Sequence, residues 1–126
     1  MIALLDSSAV LAAIFGEKGA DAAFAAMIDG AISVVNLCEV YTRLAEDGVP
    51  VDTAQIMVRR FDLRVLPFTD RHAAYAGVLR PPTKHLGLSL GDRICLAHGK
   101  IDALPVVTAD RKWAELDLGI DIRLIR

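Results

Sequence analysis

The sequence predicts an α/β fold with a five-stranded parallel sheet covered on both faces by helices. Short apolar runs, each as long as a buried strand, alternate with helix-forming segments along the whole chain. Such alternation is typical of strand-helix-strand crossovers, which make neighbouring strands parallel. The 126 residues are 54% hydrophobic and 24% charged, which suits one apolar core and is too apolar for a disordered segment. We therefore expect a single domain over residues 1–126.

The five strands are predicted from the apolar runs that end at polar residues or glycine. The first run stops abruptly at Asp6, as a buried strand stops at a loop. Pro67 has no backbone N–H to donate, so it places the third strand at an edge of the sheet or marks its end. The predicted strands cover residues 2–5, 32–35, 64–68, 104–108 and 120–125.

Helices are predicted between these strands. Leu37, Val40 and Leu44 recur at helical spacing, and their helix ends near Gly48. The other predicted helices cover residues 9–15, 21–28, 52–61, 71–79, 90–98 and 111–116, and the Pro-rich segment 80–88 is predicted as a loop.

Aromatic residues, cysteines and histidines are assigned mainly to structure. Tyr41 and Trp113 lie at helical spacing among apolar neighbours, which favours the core over RNA stacking. The two cysteines lack disulfide or zinc spacing and are predicted as small core residues. The three histidines are predicted to form no metal-binding cluster.

The sequence also limits where the protein works. Its longest apolar stretch, residues 9–15, is too short to cross a bilayer. No basic residue precedes Lys18, and Asp6 stands where the apolar part of a signal peptide would begin. We expect a cytoplasmic protein with no membrane partner.

Charge is distributed unevenly along the chain. Residues 1–52 contain two basic and eight acidic residues, whereas residues 53–126 contain twelve basic and eight acidic residues. A basic surface beside an acidic site can attract a polyanion even though the net charge is only -2. The uneven distribution permits a nucleic-acid partner, although ordinary solvated helices also scatter charge.

Four acidic residues follow or flank the predicted strand ends. Asp6 ends the first strand, Glu39 follows the second, Asp92 lies early in the helix before the fourth, and Asp110 follows the fourth. Because open parallel sheets place their ligand sites at the carboxyl ends of strands, we expect these carboxylates to converge. Clustered carboxylates repel one another unless a cation neutralises them, and hard oxygen donors suit Mg²⁺ or Mn²⁺ better than Zn²⁺.

Each acid also has a structural explanation. Asn36-x-x-Glu39 and Ser89-x-x-Asp92 both resemble capping boxes, and Asp6 and Asp110 could form a turn or cap a helix. Capping does not explain why acids from four separate segments are assigned to one edge of the sheet. Competing α/β sites lack support, since the chain contains neither a dinucleotide-binding glycine motif nor a phosphate-binding loop motif.

These motifs together resemble the PIN-domain family. They are Asp6-x-Ser8 after the first strand, Asn36-x-x-Glu39, the segment from Leu88 to Arg93, and Thr108-x-Asp110 with Trp113 beyond it. Their order and spacing are similar to VapC-type toxins of type II toxin-antitoxin pairs, over essentially the full chain. The resemblance implies a PIN-like three-layer fold and a metal-dependent endoribonuclease that leaves 5′-phosphate and 3′-hydroxyl ends.

The resemblance also assigns roles by position. Asp6, Glu39, Asp92 and Asp110 match the catalytic, metal-binding acids of the family. The supporting polar residues are Ser8, Asn36 and Thr108. It further implies Mg²⁺ or Mn²⁺ as cofactor, an RNA substrate such as tRNA or rRNA, a VapB-like antitoxin and a homodimer.

Basic residues flank the third acid. Arg80, Lys84, His85 and Arg93 are predicted to form an RNA approach path, the alternative being a merely solvated loop. Arg93 stands where many relatives have a small residue, which leaves its role open. Two other functions stay open at this point: a PIN-like RNA-processing nuclease without a toxin role, and a non-catalytic α/β interaction module whose acids only cap helices.

Overall fold

A computed structural model describes residues 2–126 and contains the predicted five-stranded parallel sheet. The strand order is β3-β2-β1-β4-β5, and every pair of neighbours is parallel. The strands are β1 (Leu4–Leu5), β2 (Ala31–Ser33), β3 (Arg64–Leu66), β4 (Val106–Thr108) and β5 (Ile122–Leu124). The third strand lies at an edge, as Pro67 predicted.

The strand order changes direction at β1. From β1 the chain builds outward through β2 to β3, and then returns to β4 on the other side of β1. Leu4 pairs with Ala31 on one side and Val106 on the other. The connections that leave β1 and β4 therefore diverge, which opens a crevice at the carboxyl ends of these strands.

Seven α-helices lie within the described residues. They are α1 (Ser7–Phe15), α2 (Ala20–Met27), α3 (Val34–Glu46), α4 (Val51–Arg59), α5 (Asp70–Val78), α6 (Arg80–Thr83) and α7 (Leu90–Ile101). Two 3-10 turns cover Lys84–Leu86 and Arg111–Glu115. No helix among residues 2–126 is both long and apolar enough to cross a membrane.

The prediction of a loop over residues 80–88 is wrong for most of the segment, because α6 and a 3-10 turn cover residues 80–86. Pro81 and Pro82 lie in the first turn of α6, where the missing backbone N–H groups would have no helical partner. The hydroxyl of Thr83 donates to the Leu79 carbonyl oxygen at 2.7 Å and closes the turn. The proline pair thus begins a short helix.

Helix α3 begins at Val34, inside the predicted second strand, so Val34 and Val35 are helical and not part of β2. Ser33 caps the helix, since its hydroxyl accepts a hydrogen bond from the Val35 amide at 3.2 Å. This cap outweighs the strand preference of the two valines. Asn36 and Glu39 therefore lie inside α3, and the capping box predicted for them is absent.

Two apolar layers cover the sheet, which confirms the three-layer prediction. Leu5 of β1 packs in the layer formed mainly by α1 to α4, whereas Leu4 packs in the layer that contains α7 and Trp113. Trp113 is fully buried, as predicted, and Tyr41 is half-buried against the first layer. The prediction for the cysteines is correct for buried Cys95 and wrong for Cys38, which lies on the exposed side of α3.

Candidate active site at the carboxyl edge of the sheet

Asp6 is the most deeply embedded of the four acids. It follows β1 and caps α1, its Oδ1 accepting hydrogen bonds from the Ala9 amide at 3.1 Å and from the Ser8 hydroxyl at 2.7 Å. Its Oδ2 accepts from the Thr108 hydroxyl at 2.9 Å. These donors fix the carboxylate at the crevice between β1 and β4.

Ser8 and Thr108, both predicted as supporting residues, connect the ends of β1 and β4. The Ser8 hydroxyl accepts a hydrogen bond from the Ala109 amide at 2.9 Å, and the Thr108 hydroxyl accepts from the Asp110 amide at 3.0 Å. Asp110 in turn caps the following 3-10 turn through its Oδ1, which accepts from the Lys112 amide at 3.0 Å. Asp6 and Asp110 are therefore held by one continuous hydrogen-bond network.

Glu39 enters the site from α3 and is held by two neutral donors. Its Oε1 accepts hydrogen bonds from Asn36 Nδ2 at 2.7 Å and from the Ser7 hydroxyl at 3.1 Å. Asn36 Nδ2 also donates to the Gly91 carbonyl oxygen at 3.2 Å. The buried amide of Asn36 thus joins α3, the Glu39 carboxylate and the start of α7.

Gly91 contributes to the site by having no side chain. A Cβ atom built on Gly91 would overlap Oε2 of Glu39 and would lie 2.7 Å from its Cδ. Since real Cβ contacts are essentially never that short, the Glu39 carboxylate occupies space that only glycine leaves open. Sequence reasoning did not single out Gly91, although a glycine inside a helix next to a candidate acid is a signal of close packing.

Asp92 combines a capping role with its place beside the other acids. The Ser89 amide donates to Asp92 Oδ2 at 2.9 Å, and the Asp92 amide donates to the Ser89 hydroxyl at 3.1 Å. This capping box at the start of α7 confirms the structural explanation predicted for the Ser89-x-x-Asp92 pair. Capping occupies only one oxygen of the Asp92 carboxylate.

The pKa of Asp6 is raised from 3.8 to about 6, chiefly by burial, with a smaller contribution from the negative charge of Asp92. Hydrogen bonds from Ser8, Ala9 and Thr108 act in the opposite direction and are too weak to offset burial. Ionised Asp6 is therefore destabilised in this site unless a cation neutralises it.

Direct contacts and the electrostatics at Cys95 together indicate which acids lie near one another. Burial raises the pKa of this thiol well above its ordinary value, and the charges of Asp6, Asp92 and Glu39 raise it further. The Glu39 carboxylate accepts a hydrogen bond from Ser7, next to Asp6, and lies against Gly91, next to Asp92, whereas Asp110 joins the site through Thr108. The cluster is loose: among residues 2–126, no three of the four acids bring a ligand oxygen each within 4.8 Å of one another.

The predicted RNA-binding residues fall into two groups. Arg80, Lys84 and His85 are exposed on α6 and the adjoining 3-10 turn. Arg93 is half-buried, and its Nη1 donates to the Ala76 carbonyl oxygen of α5 at 2.9 Å. Its guanidinium thus fastens α7 to α5, a role that the sequence left open.

Sequence reasoning missed Arg111 and Lys112. Both side chains are exposed in the 3-10 turn that Asp110 caps. Their place directly after a candidate acid is the signal that could have identified them as further candidates for phosphate contact.

A sequence model described as the PIN domain matches residues 3–118. The chain belongs to the PIN domain family. This match confirms the resemblance predicted from the four acidic motifs. A search of curated proteins finds no match to this PIN domain.

Solved structures resemble this PIN domain over nearly its whole length. A toxin-antitoxin complex from Klebsiella pneumoniae matches with a TM-score of 0.76 and 20% identity, covering 98% of each chain. VapBC2 from Rickettsia felis bound to a promoter DNA fragment matches with a TM-score of 0.78 and 18% identity, also covering 98% of each chain. DNA-bound VapBC from Salmonella typhimurium matches with a TM-score of 0.77 and 20% identity over 100% of each chain. At these identities the likeness concerns the fold.

Proposed function

We propose that this PIN domain is a metal-dependent endoribonuclease and the toxin of a toxin-antitoxin pair. The observation that carries the proposal is the approach of Asp6, Glu39 and Asp92 to one another at the crevice where the strand order changes direction. The Glu39 carboxylate accepts a hydrogen bond from Ser7, next to Asp6, and lies against Gly91, next to Asp92. Helix capping accounts for one oxygen of Asp6, Asp92 and Asp110, but it does not account for their meeting at one edge with Glu39. A divalent cation would relieve the repulsion that this arrangement creates.

The donors present fit Mg²⁺ or Mn²⁺. Within residues 2–126, no hydrogen bond is donated to Glu39 Oε2, Asp92 Oδ1 or Asp110 Oδ2. In each of these three carboxylates, a protein donor fixes one oxygen, and the other oxygen is available to a cation. These hard oxygens suit Mg²⁺, which keeps several water ligands and so tolerates acids that are not tightly clustered.

The bound ion would supply an activated water and neutralise charge on the scissile phosphate. The protein's part is to hold the acids still: Thr108 and Ser8 orient Asp6, and Asn36 and Ser7 orient Glu39. Hydrolysis by an activated water at phosphorus, with the 3′ oxygen as leaving group, gives the expected 5′-phosphate and 3′-hydroxyl ends.

Partner assignments rest on the structural relatives. Three of them are described as toxin-antitoxin or VapBC complexes, which supports a VapB-like antitoxin for this chain. A homodimer and a cytoplasmic location belong to the same proposal, and tRNA or rRNA is the proposed substrate class.

The direct test is incubation of the purified protein with total RNA, with and without Mg²⁺, followed by mapping of the new ends. We expect discrete cuts with 5′-phosphate ends that EDTA abolishes. Growth arrest on expression, relieved by a small antitoxin encoded beside the gene, would separate a toxin from an RNA-processing nuclease. Absence of both metal binding and cleavage would favour the interaction module.

The basic surface on α6 leads to a prediction about RNA binding. Replacing Arg80 and Lys84 by Ala should weaken binding and reduce the slope of log K against log salt by about 1 to 2, because fewer counterions are released. Fluorescence anisotropy with a catalytically inactive Asp6→Asn background measures this slope. The matched control replaces Arg59 and Arg60, an exposed basic pair at the end of α4, and should leave the slope unchanged. Equal slopes for both double variants would place the RNA path elsewhere.

A further inference from the structure

Two histidines and an aspartate meet between α5 and α7, away from the acids at the sheet edge. His72 Nε2 and His98 Nδ1 each lie 3.1 Å from Oδ2 of Asp102. These three atoms lie within 4.8 Å of one another, and within residues 2–126 no other trio of His, Cys, Asp or Glu side chains does so. The sequence-based prediction that the histidines form no cluster is therefore wrong for His72 and His98. Asp102 directly follows the last residue of α7 and lies ten residues after Asp92, or about 15 Å along a helix axis.

The surroundings orient both rings toward the carboxylate. The Thr69 amide donates to His72 Nδ1 at 3.2 Å, and the Thr69 hydroxyl lies 2.6 Å from the same nitrogen, which leaves Nε2 facing Asp102. His98 is fully buried, and burial lowers its pKa. The hydrogen bond to Asp102 opposes this effect, and the neighbouring His72 reinforces it. The His98 imidazole is therefore neutral near pH 7, the protonation state that binds metals.

We propose that His72, His98 and Asp102 form a second metal site, specific for a transition-metal ion such as Zn²⁺. Two imidazoles and one carboxylate are a donor set that zinc takes and that Mg²⁺ does not favour. With Zn–ligand bonds near 2.0 Å, tetrahedral ligand atoms lie about 3.3 Å apart, close to the 3.1 Å separations of the two nitrogens from Asp102 Oδ2. The Asp102 side chain is 34% exposed, which leaves one side open to solvent for entry and for a water ligand.

Binding requires a small rearrangement. The two rings stack with centroids 3.9 Å apart and planes inclined by 24°, and because imidazole lone pairs lie in the ring plane, the rings must splay to share an ion. The proton of His72 moves to Nδ1, where the Thr69 hydroxyl accepts it and the hydrogen bond from the Thr69 amide is lost. His98 Nε2 is buried and has no partner among the described residues, so the proton it receives is unsatisfied. We therefore expect micromolar affinity, and an ion that connects α5 to α7 and stabilises the fold.

The test is titration of the metal-free protein with ZnCl₂, followed by calorimetry, thermal unfolding and NMR of the histidine ring protons. Wild type should bind one Zn²⁺ at this site, melt several degrees higher with Zn²⁺, and show shifts of the His72 and His98 ring signals. Mg²⁺ should shift neither ring. Asp102→Asn, which keeps a hydrogen-bond acceptor, should lower the Zn²⁺ affinity at least tenfold.

Two control variants separate this site from others. His85→Ala removes an exposed histidine outside the cluster, and Asp6→Asn alters the acidic site; both should keep the Zn²⁺ response. If the response is unchanged in Asp102→Asn, or is lost in Asp6→Asn, the second site is refuted and the three residues are a hydrogen-bonded triad only. If Asp102→Asn fails to fold, unshifted His72 and His98 signals in Zn²⁺-treated wild type refute the site equally well.

Discussion

Asp6→Asn is expected to abolish metal-dependent RNA cleavage and to raise the stability of the metal-free protein at neutral pH. Burial raises the pKa of Asp6 from 3.8 to about 6, so the folded state holds this proton more tightly than the unfolded state does. Well below pH 3.8 the carboxyl is protonated in both states and stability is unaffected. As the pH rises toward 6, the charge destabilises the folded state, by at most about 3 kcal/mol once Asp6 is ionised.

The amide that Asp6→Asn introduces removes that charge while preserving the cap. Asparagine caps helices as well as aspartate does, so its side-chain oxygen can still accept from the Ala9 amide. Thermal unfolding in EDTA should show a higher melting temperature for Asp6→Asn at pH 7.5 and little difference at pH 4. Added Mg²⁺ should stabilise wild type more than the variant, because the cation needs the charge that the variant lacks.

Asp117→Asn is the matched control, since it neutralises an exposed acid outside the site. It should leave cleavage and the pH dependence of stability as in wild type. An unchanged melting temperature at both pH values in Asp6→Asn would mean that Asp6 only caps α1, because asparagine preserves the cap. Wild-type cleavage by the variant would remove Asp6 from the proposed catalytic acids.

The sequence was enough to predict that the acids lie at one edge of the sheet, because parallel strands have their carboxyl ends at the same edge. Knowing only that Asp6 follows one strand and Asp110 another is enough to assign both to the same crevice. Capping and site membership, which the sequence presents as rival explanations, coexist in Asp6, Asp92 and Asp110. In each of them, one carboxylate oxygen accepts a hydrogen bond from a backbone amide. The other oxygen accepts only from the Thr108 hydroxyl in Asp6 and has no protein donor in Asp92 and Asp110 among the described residues.

Features that depend on contacts between distant segments were not predictable. Asn36 donates to the carbonyl of Gly91, 55 residues away, and His72 meets Asp102 across 30 residues. No local pattern encodes these separations, because helix packing decides them. Local patterns also failed where two preferences compete, as at Val34 and Val35, whose strand preference yields to the Ser33 cap.

Gly91→Ala is expected to weaken binding of Mn²⁺ at least tenfold and to slow cleavage about a hundredfold, in a protein that remains folded. The new methyl group would occupy the position of the Glu39 carboxylate, so Glu39 must move away and lose its hydrogen bond from Asn36. Alanine is otherwise favourable here, since it improves helix propensity by about 1 kcal/mol over glycine. Calorimetric titration with Mn²⁺ and single-turnover cleavage measure the two effects.

Gly77→Ala supplies the matched control, because Gly77 is also helical and a Cβ there meets nothing within 4 Å. It should gain stability and keep wild-type affinity for Mn²⁺. A second substitution, Glu39→Asp, tests whether the methyl group acts through Glu39. The shorter side chain withdraws the carboxylate from the new methyl group. Glu39→Asp should therefore reduce Mn²⁺ affinity and cleavage less in the Gly91→Ala protein than in wild type. This non-additivity is expected only if the methyl group acts through Glu39. Additive losses in the double variant, or wild-type affinity for Mn²⁺ in Gly91→Ala, would show that the position of Glu39 does not depend on the glycine.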